Sequence, residues 1–288
     1  MKLGLMFANT GAMVSPEAAI AVAKHAEQAG FESLWTVEHA VIPAGYKSKY
    51  PYNRSGRMPG GEDVPMPDPL IWLSYVAAHT ERVKLATGML VLPQRSPVIT
   101  AKELATLDVL SHGRAILGVG IGWLREEFEC IGVSFDNRGR RAVEGIEAMR
   151  ALWSEDQPTY HGETISFTDA RLWPKPLNRR IPVVLGGHSE LAARRAGRLA
   201  DGFFPGRSKP EEVVHLLEVM RHTAEDAGRD PAAIELTLGA PPDPAFVEQL
   251  MPLGVDRIVL PPMGFDVDSV KAGIDQAVES LGSLAGAA

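Results

Sequence analysis

Residues 83–123 read VKLATGMLVLPQRSPVITAKELATLDVLSHGRAILGVGIGW, and the order of pieces within them decides the fold. The stretch 83–90 is an apolar run of the length expected for a buried parallel strand. Ser96-Pro97 follows, an oxygen-bearing cap before a proline. At the first helical position a missing N–H costs nothing, and the proline φ is already near the helical value. The helix this starts, 97–110, runs into Ser111-His112-Gly113-Arg114, and a second apolar run, 115–119, begins directly after the turn. Strand, helix and strand succeed one another without a spare segment.

Outward from this unit the pattern repeats. Upstream are apolar runs at 3–8 and 33–37, with helices at 16–29 and 69–80. Downstream are runs at 182–186, 201–204, 234–239 and 257–260, with helices at 124–131, 189–199, 210–227, 244–252 and 267–281. Ser15-Pro16, Asp68-Pro69, Asp230-Pro231 and Asp243-Pro244 repeat the cap-and-proline signal. Helix 210–227 carries Val213, Leu216, Leu217, Met220, Ala224 and Ala227 on one face. About eight alternations point to an α/β fold of the (β/α)8 TIM-barrel type rather than an open doubly wound sheet. The 288 residues are expected to form one barrel domain over 1–288, since such a barrel needs roughly 250. Two insertions interrupt it. After the second strand, 40–67 is rich in Pro, Gly and Tyr. After the fourth, 132–181 holds a helix with Ala142, Ile146, Met149 and Trp153 on one face, then a hairpin around His161-Gly162. Loops this long are often lids or binding elements.

The charge balance, 29 basic against 36 acidic residues for a net of −7, shows no dense Lys/Arg stripe and argues against a nucleic-acid partner. No run of about 18 apolar residues exists, so no membrane span is expected. Cys130 is the one cysteine. It excludes an internal disulfide, reads as a packed side chain, and suits a cytoplasmic location. The chain opens without a signal h-region, and a small-residue tail, 282–288, is expected to lie outside the packed fold.

On such a barrel, chemistry belongs at the C-terminal strand ends. That rule nominates Asn9 and Thr10, Glu38 and His39, Thr87 to Leu90, Gly120 to Trp123, Gly186 to His188, and Pro205 to Arg207. Glu38-His39 is the most chemical pair: both groups are expected at the mouth, with histidine bonding a ring or moving protons near neutral pH. A loop-anchoring pair is the plainer reading. Gly120 and Gly122, flanking Ile121 before Trp123, let a backbone approach a planar ring closely. Gly186-Gly187-His188-Ser189 opens a helix and offers N–H groups to an anion, or is simply a tight turn. Arg207 adds a charge to that anion or is a solvated surface group. His112, at the opposite end of the barrel, reads as structural. No histidine or carboxylate spacing suits a metal, and there is no nucleophile elbow or Walker loop, so an organic cofactor is the natural supplier of difficult chemistry.

These residues also carry a resemblance. The ordered set Ala86-Thr87-Gly88-Met89-Leu90-Val91-Leu92-Pro93, Ser96-Pro97-Val98, Ala101-Lys102, Thr106-Leu107-Asp108, Ser111-His112-Gly113-Arg114, Leu117-Gly118-Val119-Gly120-Ile121-Gly122-Trp123, Glu127-Phe128, Arg138-Gly139-Arg140-Arg141, Pro182-Val183-Val184-Leu185-Gly186-Gly187-His188 and Ala200-Asp201-Gly202 resembles the luciferase-like monooxygenase superfamily. Phe7-Ala8-Asn9-Thr10-Gly11 with Glu38-His39 looks like its actinobacterial branch that uses the deazaflavin coenzyme F420.

The resemblance implies a bulge with a non-proline cis peptide under the cofactor ring, at Gly88–Met89 or Met89–Leu90. His39 would face the ring, and Thr87, Gly88, Met89 and Leu90 would buttress it. Gly120, Ile121, Gly122 and Trp123 would line it, while Gly186, Gly187 and His188 held the phosphate. Sugar-phosphate dehydrogenases of the deazaflavin group carry glutamate where this chain has Ile121, which sets that substrate aside. The activity implied is hydride transfer between F420 and a small organic substrate, with Glu38 and His39 as catalytic candidates and a homodimer built through barrel-flank helices. The alternatives are an FMN-dependent monooxygenase using reduced flavin and O2, and a flavin- or deazaflavin-binding barrel without activity.

Overall fold

A computed structural model describes residues 1–206, 209–284 and 286. In chain order its elements are β1 (Lys2–Leu5), α1 (Pro16–Gln28), β2 (Ser33–Thr36), α2 (Pro69–Ala77), β3 (Lys84–Thr87), β4 (Leu90–Val91), α3 (Pro97–Leu110), β5 (Ala115–Gly120), α4 (Arg125–Cys130), α5 (Arg138–Ser154), β6 (Tyr160–His161), β7 (Ser166–Phe167), β8 (Val183–Gly186), α6 (Glu190–Leu199), β9 (Gly202–Phe204), α7 (Pro210–Asp226), β10 (Glu235–Gly239), α8 (Pro244–Leu250), β11 (Arg257–Leu260) and α9 (Val267–Leu281). Strands β3, β2, β1, β11, β10, β9, β8 and β5 pair in that order, and β5 returns to β3. Every one of these pairings is parallel. Among the described residues this is a closed eight-stranded parallel barrel with helices between its strands, the (β/α)8 architecture expected from the alternation.

Strand alternation sorts the side chains into two cores. Leu3 and Leu5 of β1, Leu34 of β2 and Leu85 of β3 face the helices and join the large outer core with Val22, Leu73, Leu104 and Ile274. The alternate residues fill the lumen: Trp35, Ala86, Ile116, Val184 and Val259 pack together, with Met6, Met89 and Phe204 above them. Gly4 makes room for the largest, since a Cβ there would come within 2.9 Å of Trp35 Nε1. At the strand N-terminal ends the lumen is shut by Arg257. It is 2% exposed, bonds Glu32 through Nε (2.9 Å) and Nη2 (3.0 Å), reaches Thr237 and Glu235, and lies over the Trp35 ring at 5.5 Å.

The caps behave as their chemistry requires at three sites. Ser15, Asp68 and Asp243 accept N–H bonds from the first turns of α1, α2 and α8. Ser96 occupies the cap position of α3 without a side-chain bond, and Asp230 opens only a short 3-10 turn, Pro231–Ala233. The second insertion contains α5 and the antiparallel pair β6–β7. Cys130, expected to be packed, is exposed. On the short α4 it is Glu127 and Phe128 that turn inward, to 1% and 0% exposure, while Cys130 is the last residue of the helix, about 200° around the axis from Phe128.

Candidate active site

The single run expected over 83–90 is broken in two. Ala86 pairs with Ile116, but beyond the break Leu90 pairs with Val119, a register shifted by one residue. The extra residue is a bulge, and it contains a cis peptide at Gly88–Met89, the first of the two positions the resemblance implied. Thr87 spends its hydroxyl on β5, donating to Gly118 O at 2.8 Å and accepting from Gly118 N at 2.9 Å. The bulge turns the Thr87 carbonyl oxygen into the space a Cβ on Gly118 would occupy. Leu90 points away from the mouth into the outer core. Met89 does the reverse. Its side chain lies across three glycines, so that an added Cβ at Gly118, Gly120 or Gly186 would come within 2.9, 3.1 or 2.8 Å of it. A floor of one thioether on bare backbone, at the C-terminal strand tips, is the shape a flat ring needs in order to lie close.

His39 and Glu38, adjacent in sequence, separate in space. His39 Nδ1 lies 2.9 Å from Glu127 Oε2, with side chains 9% and 1% exposed, and Glu127 Oε1 accepts from Ala40 N at 2.6 Å. Glu38 does not reach the mouth. Its Oε2 accepts from Val91 N at 2.5 Å and its Oε1 from Arg95 Nε at 2.6 Å, and Arg95 continues to Asp68, the cap of α2. Burial pushes the Glu38 carboxyl up, opposed by the Arg95 guanidinium and the Val91 N–H. Arg95 is held up by Glu38 and Asp68 against its own burial. Glu38 is therefore a brace between β2 and the segment after the bulge. Asn9 is another: its side chain bonds Val37 N, Val37 O and Pro67 O.

Loop 40–67 crosses the mouth on aromatic rings. Trp123 is the hub, edge-on to His39 at 5.6 Å, Tyr46 at 5.4 Å and Tyr50 at 5.2 Å. Tyr50 continues to Tyr52 at 5.4 Å, and Tyr52 to His188 at 5.1 Å. Burial, then the neighbouring Tyr52, pushes the Tyr50 phenol up to about 12, so it remains a neutral donor. The arc runs from the β2 tip to the β8 tip, and a Cβ on Gly206 would overlap the Tyr52 ring. Glu126 pins the loop from below, taking Lys47 N at 2.7 Å and Ser48 N at 3.1 Å.

On the far side, half-buried Gly186, Gly187 and His188 lead into Ser189, whose side chain caps α6 through Ala192 N. Gly187 has φ +145° and its Cβ would lie 2.7 Å from that of Ala192, so only a bare backbone fits. Nearby, Arg195 of α6 packs on Gly139 of α5 and has no hydrogen-bond or ion-pair partner among the described residues. Burial pulls it down, and Arg138 adds to that pull. Arg138 stacks on Phe135 at 3.7 Å, and its Nε and Asn137 Oδ1 are buried without partners among the described residues. Arg138 also donates from Nη1 to Phe135 O at 3.0 Å and feels the Asp136 carboxylate, so the cationic group without a partner among the described residues beside the N-terminus of this 17-residue helix is Arg195, a placement that favours an anion. Arg207 lies outside the described residues. Glu127, Arg95, the tyrosines and Arg195 had no assigned role in the sequence. Only the tyrosines stand out there, as aromatic residues in a loop of Gly and Pro.

Comparison with known proteins agrees with this geometry. An uncharacterised protein of Mycobacterium tuberculosis is 32% identical over 284 residues, 98% of this chain and 99% of the relative. The F420-dependent glucose-6-phosphate dehydrogenase of Segniliparus rotundus is 34% identical over 230 residues, 76% of this chain and 63% of the relative. Among solved structures, the monooxygenase RslO1 from Streptomyces bottropensis superposes with a TM-score of 0.81 at 23% identity, covering 99% of this chain and 100% of that one. The pattern of the luciferase-like monooxygenases matches residues 1–243. The chain belongs to the luciferase-like monooxygenase family.

Proposed function

We propose that this chain is an oxidoreductase that moves a hydride between coenzyme F420 and a small organic substrate, acting as a cytoplasmic homodimer. The observation that carries the reading is the floor at the mouth, Met89 laid over Gly118, Gly120 and Gly186, with His39 edge-on to Trp123 at the tip that follows Gly120. The bare-backbone cradle fits a flat ring, and the paired cationic groups Arg138 and Arg195 suit the phosphate-bearing side chain that both deazaflavin and flavin carry. When bound, the deazaflavin supplies two-electron hydride chemistry and scarcely activates oxygen.

The protein's own part is orientation, exclusion of water and proton handling. Gly120, Ile121, Gly122 and Trp123 would wall the ring, with Gly88 and Met89 beneath it. Thr87, Leu90 and Glu38 act from behind, holding the bulge in shape through β5, the outer core and Arg95. Gly186, Gly187 and His188 would flank the phosphate. The tyrosines of 40–67 close the mouth against water, which strengthens every polar contact inside. His39 is the group placed to hold or move the proton that accompanies the hydride. The absence of an acid at Ile121 argues against sugar phosphate as the substrate. A dimer formed through the flank is supported by Ile71 at 73% and Ile99 at 60% exposure on the neighbouring helices α2 and α3.

Titrating the purified protein with F420 and with FMN tests the reading. Tight F420 binding is expected. Micromolar FMN binding without F420 binding would instead make it a flavin monooxygenase, to be followed by oxygen uptake. His39→Ala with full cofactor affinity and undiminished turnover would remove the proposed proton role.

A further inference from the structure

Glu127 is 1% exposed, and no Lys or Arg among the described residues pairs with it. Its charge is met by N–H donors alone. Oε1 takes Ala40 N at 2.6 Å and, more weakly, Val41 N at 3.4 Å, while Oε2 faces His39 Nδ1 at 2.9 Å. Three consecutive residues of one strand tip thus hang on one carboxylate, 88 residues away from His39 in sequence.

We propose that Glu127 is the positioning residue that fixes His39 in its Nδ1–H tautomer and so presents a bare Nε2 to the mouth. This rests on reading His39 as the proton-handling group, and adds what sets its state. A carboxylate only accepts, so the nitrogen facing it must carry the hydrogen. A neutral imidazole has one N–H, which leaves Nε2 with a lone pair. Nε2 has no partner among the described residues, and the ring is held edge-on to Trp123, so its direction is fixed as well as its protonation. The substrate proton that accompanies hydride chemistry would go to Nε2, or leave it in the reverse direction, while the Nδ1–H bond to Glu127 is kept throughout. The resulting imidazolium lies against an anion already in place.

The isosteric change Glu127→Gln has a definite consequence. Ala40 N–H can only donate, so the amide oxygen must take the place of Oε1. That leaves the amide NH2 opposite Nδ1, which must then accept, and the ring proton moves to Nε2. The test is a long-range 1H–15N correlation spectrum of the full chain, 15N-labelled at histidine and free of cofactor, followed through a pH series so that the neutral ring is identified from its own two nitrogen shifts. His39→Asn assigns the signal by removing it. Wild type is expected to show protonated Nδ1 and bare Nε2, and E127Q the reverse. E127Q should bind cofactor as wild type does, with kcat lower by on the order of 10² or more. An unchanged tautomer in E127Q would overturn the proposal. So would a tautomer-averaged imidazole in wild type, which decides the matter even if E127Q does not fold. Because the spectrum needs no cofactor, its failure is distinct from failure of the F420 titration, which would remove the ring from this mouth and leave the tautomer result standing.

Discussion

Arg95 holds the mouth in shape one side chain at a time. It ties Glu38 behind the bulge to Asp68 at the head of α2, with side chains 20% and 4% exposed for Arg95 and Glu38. Arg95→Met would strand Glu38 with only the Val91 N–H, at a cost of about 3–5 kcal/mol. Adding Glu38→Gln should recover part of it, as read from urea unfolding. The loss has a pH signature. Burial already pushes Glu38 up and Arg95 opposes it, so removing Arg95 raises the folded-state carboxyl further above its unfolded value. Such a group contributes stability at low pH and loses it as pH rises through the folded value. The variant should therefore be hurt more near pH 8 than near pH 5. Equal damage at both would contradict this. Glu38-His39 was visible in the sequence as an adjacent polar pair, but not that its members part. Their partners lie 57 and 88 residues away and are chosen by the closure of the barrel, which no local pattern encodes.

At the scale of elements, the bulge between β3 and β4 and the loop 40–67 differ in how they are held. The bulge is locked by backbone against backbone. Gly118→Ala would drive a methyl into the Thr87 carbonyl, and with neither side free to move it should cost about 3 kcal/mol or more. Gly239→Ala, whose Cβ meets nothing nearer than 4.0 Å, should be nearly neutral in the same denaturation assay. The loop is held by side chains. The Ser48 hydroxyl, followed by the Lys47 and Ser48 amides, lowers the Glu126 carboxyl to about 2 from 4.5. A depressed acid contributes its stability above the unfolded value and loses it as pH falls through the folded one. Hydrogen exchange at Lys47 and Ser48 should thus show a latch intact from neutral pH to about 4.5 and lost toward about 2, while Glu126→Gln weakens it at every pH. Strand and helix positions were legible because alternation, cap and proline are local. The path of 40–67 was not. It has no hydrophobic period, and its course depends on three tyrosines meeting Trp123 and His188 from other parts of the chain.

The whole molecule presents two contrasting surfaces. On the flank, Ile71 and Tyr75 of α2 stand beside Val98 and Ile99 of α3, all exposed, an apolar face of the kind that marks association. Ile71→Glu with Ile99→Glu should shift the species seen by light scattering from dimer to monomer without loss of fold. A wild-type monomer would end the dimer proposal. At the base, Arg257 with Glu32, Thr237 and Glu235 closes the lumen among the described residues. Under the proposed reading, cofactor and substrate would both pass one threshold, the rim spanned by the tyrosines. Two guests sharing a cul-de-sac must queue, so the one seated deeper enters first and departs last.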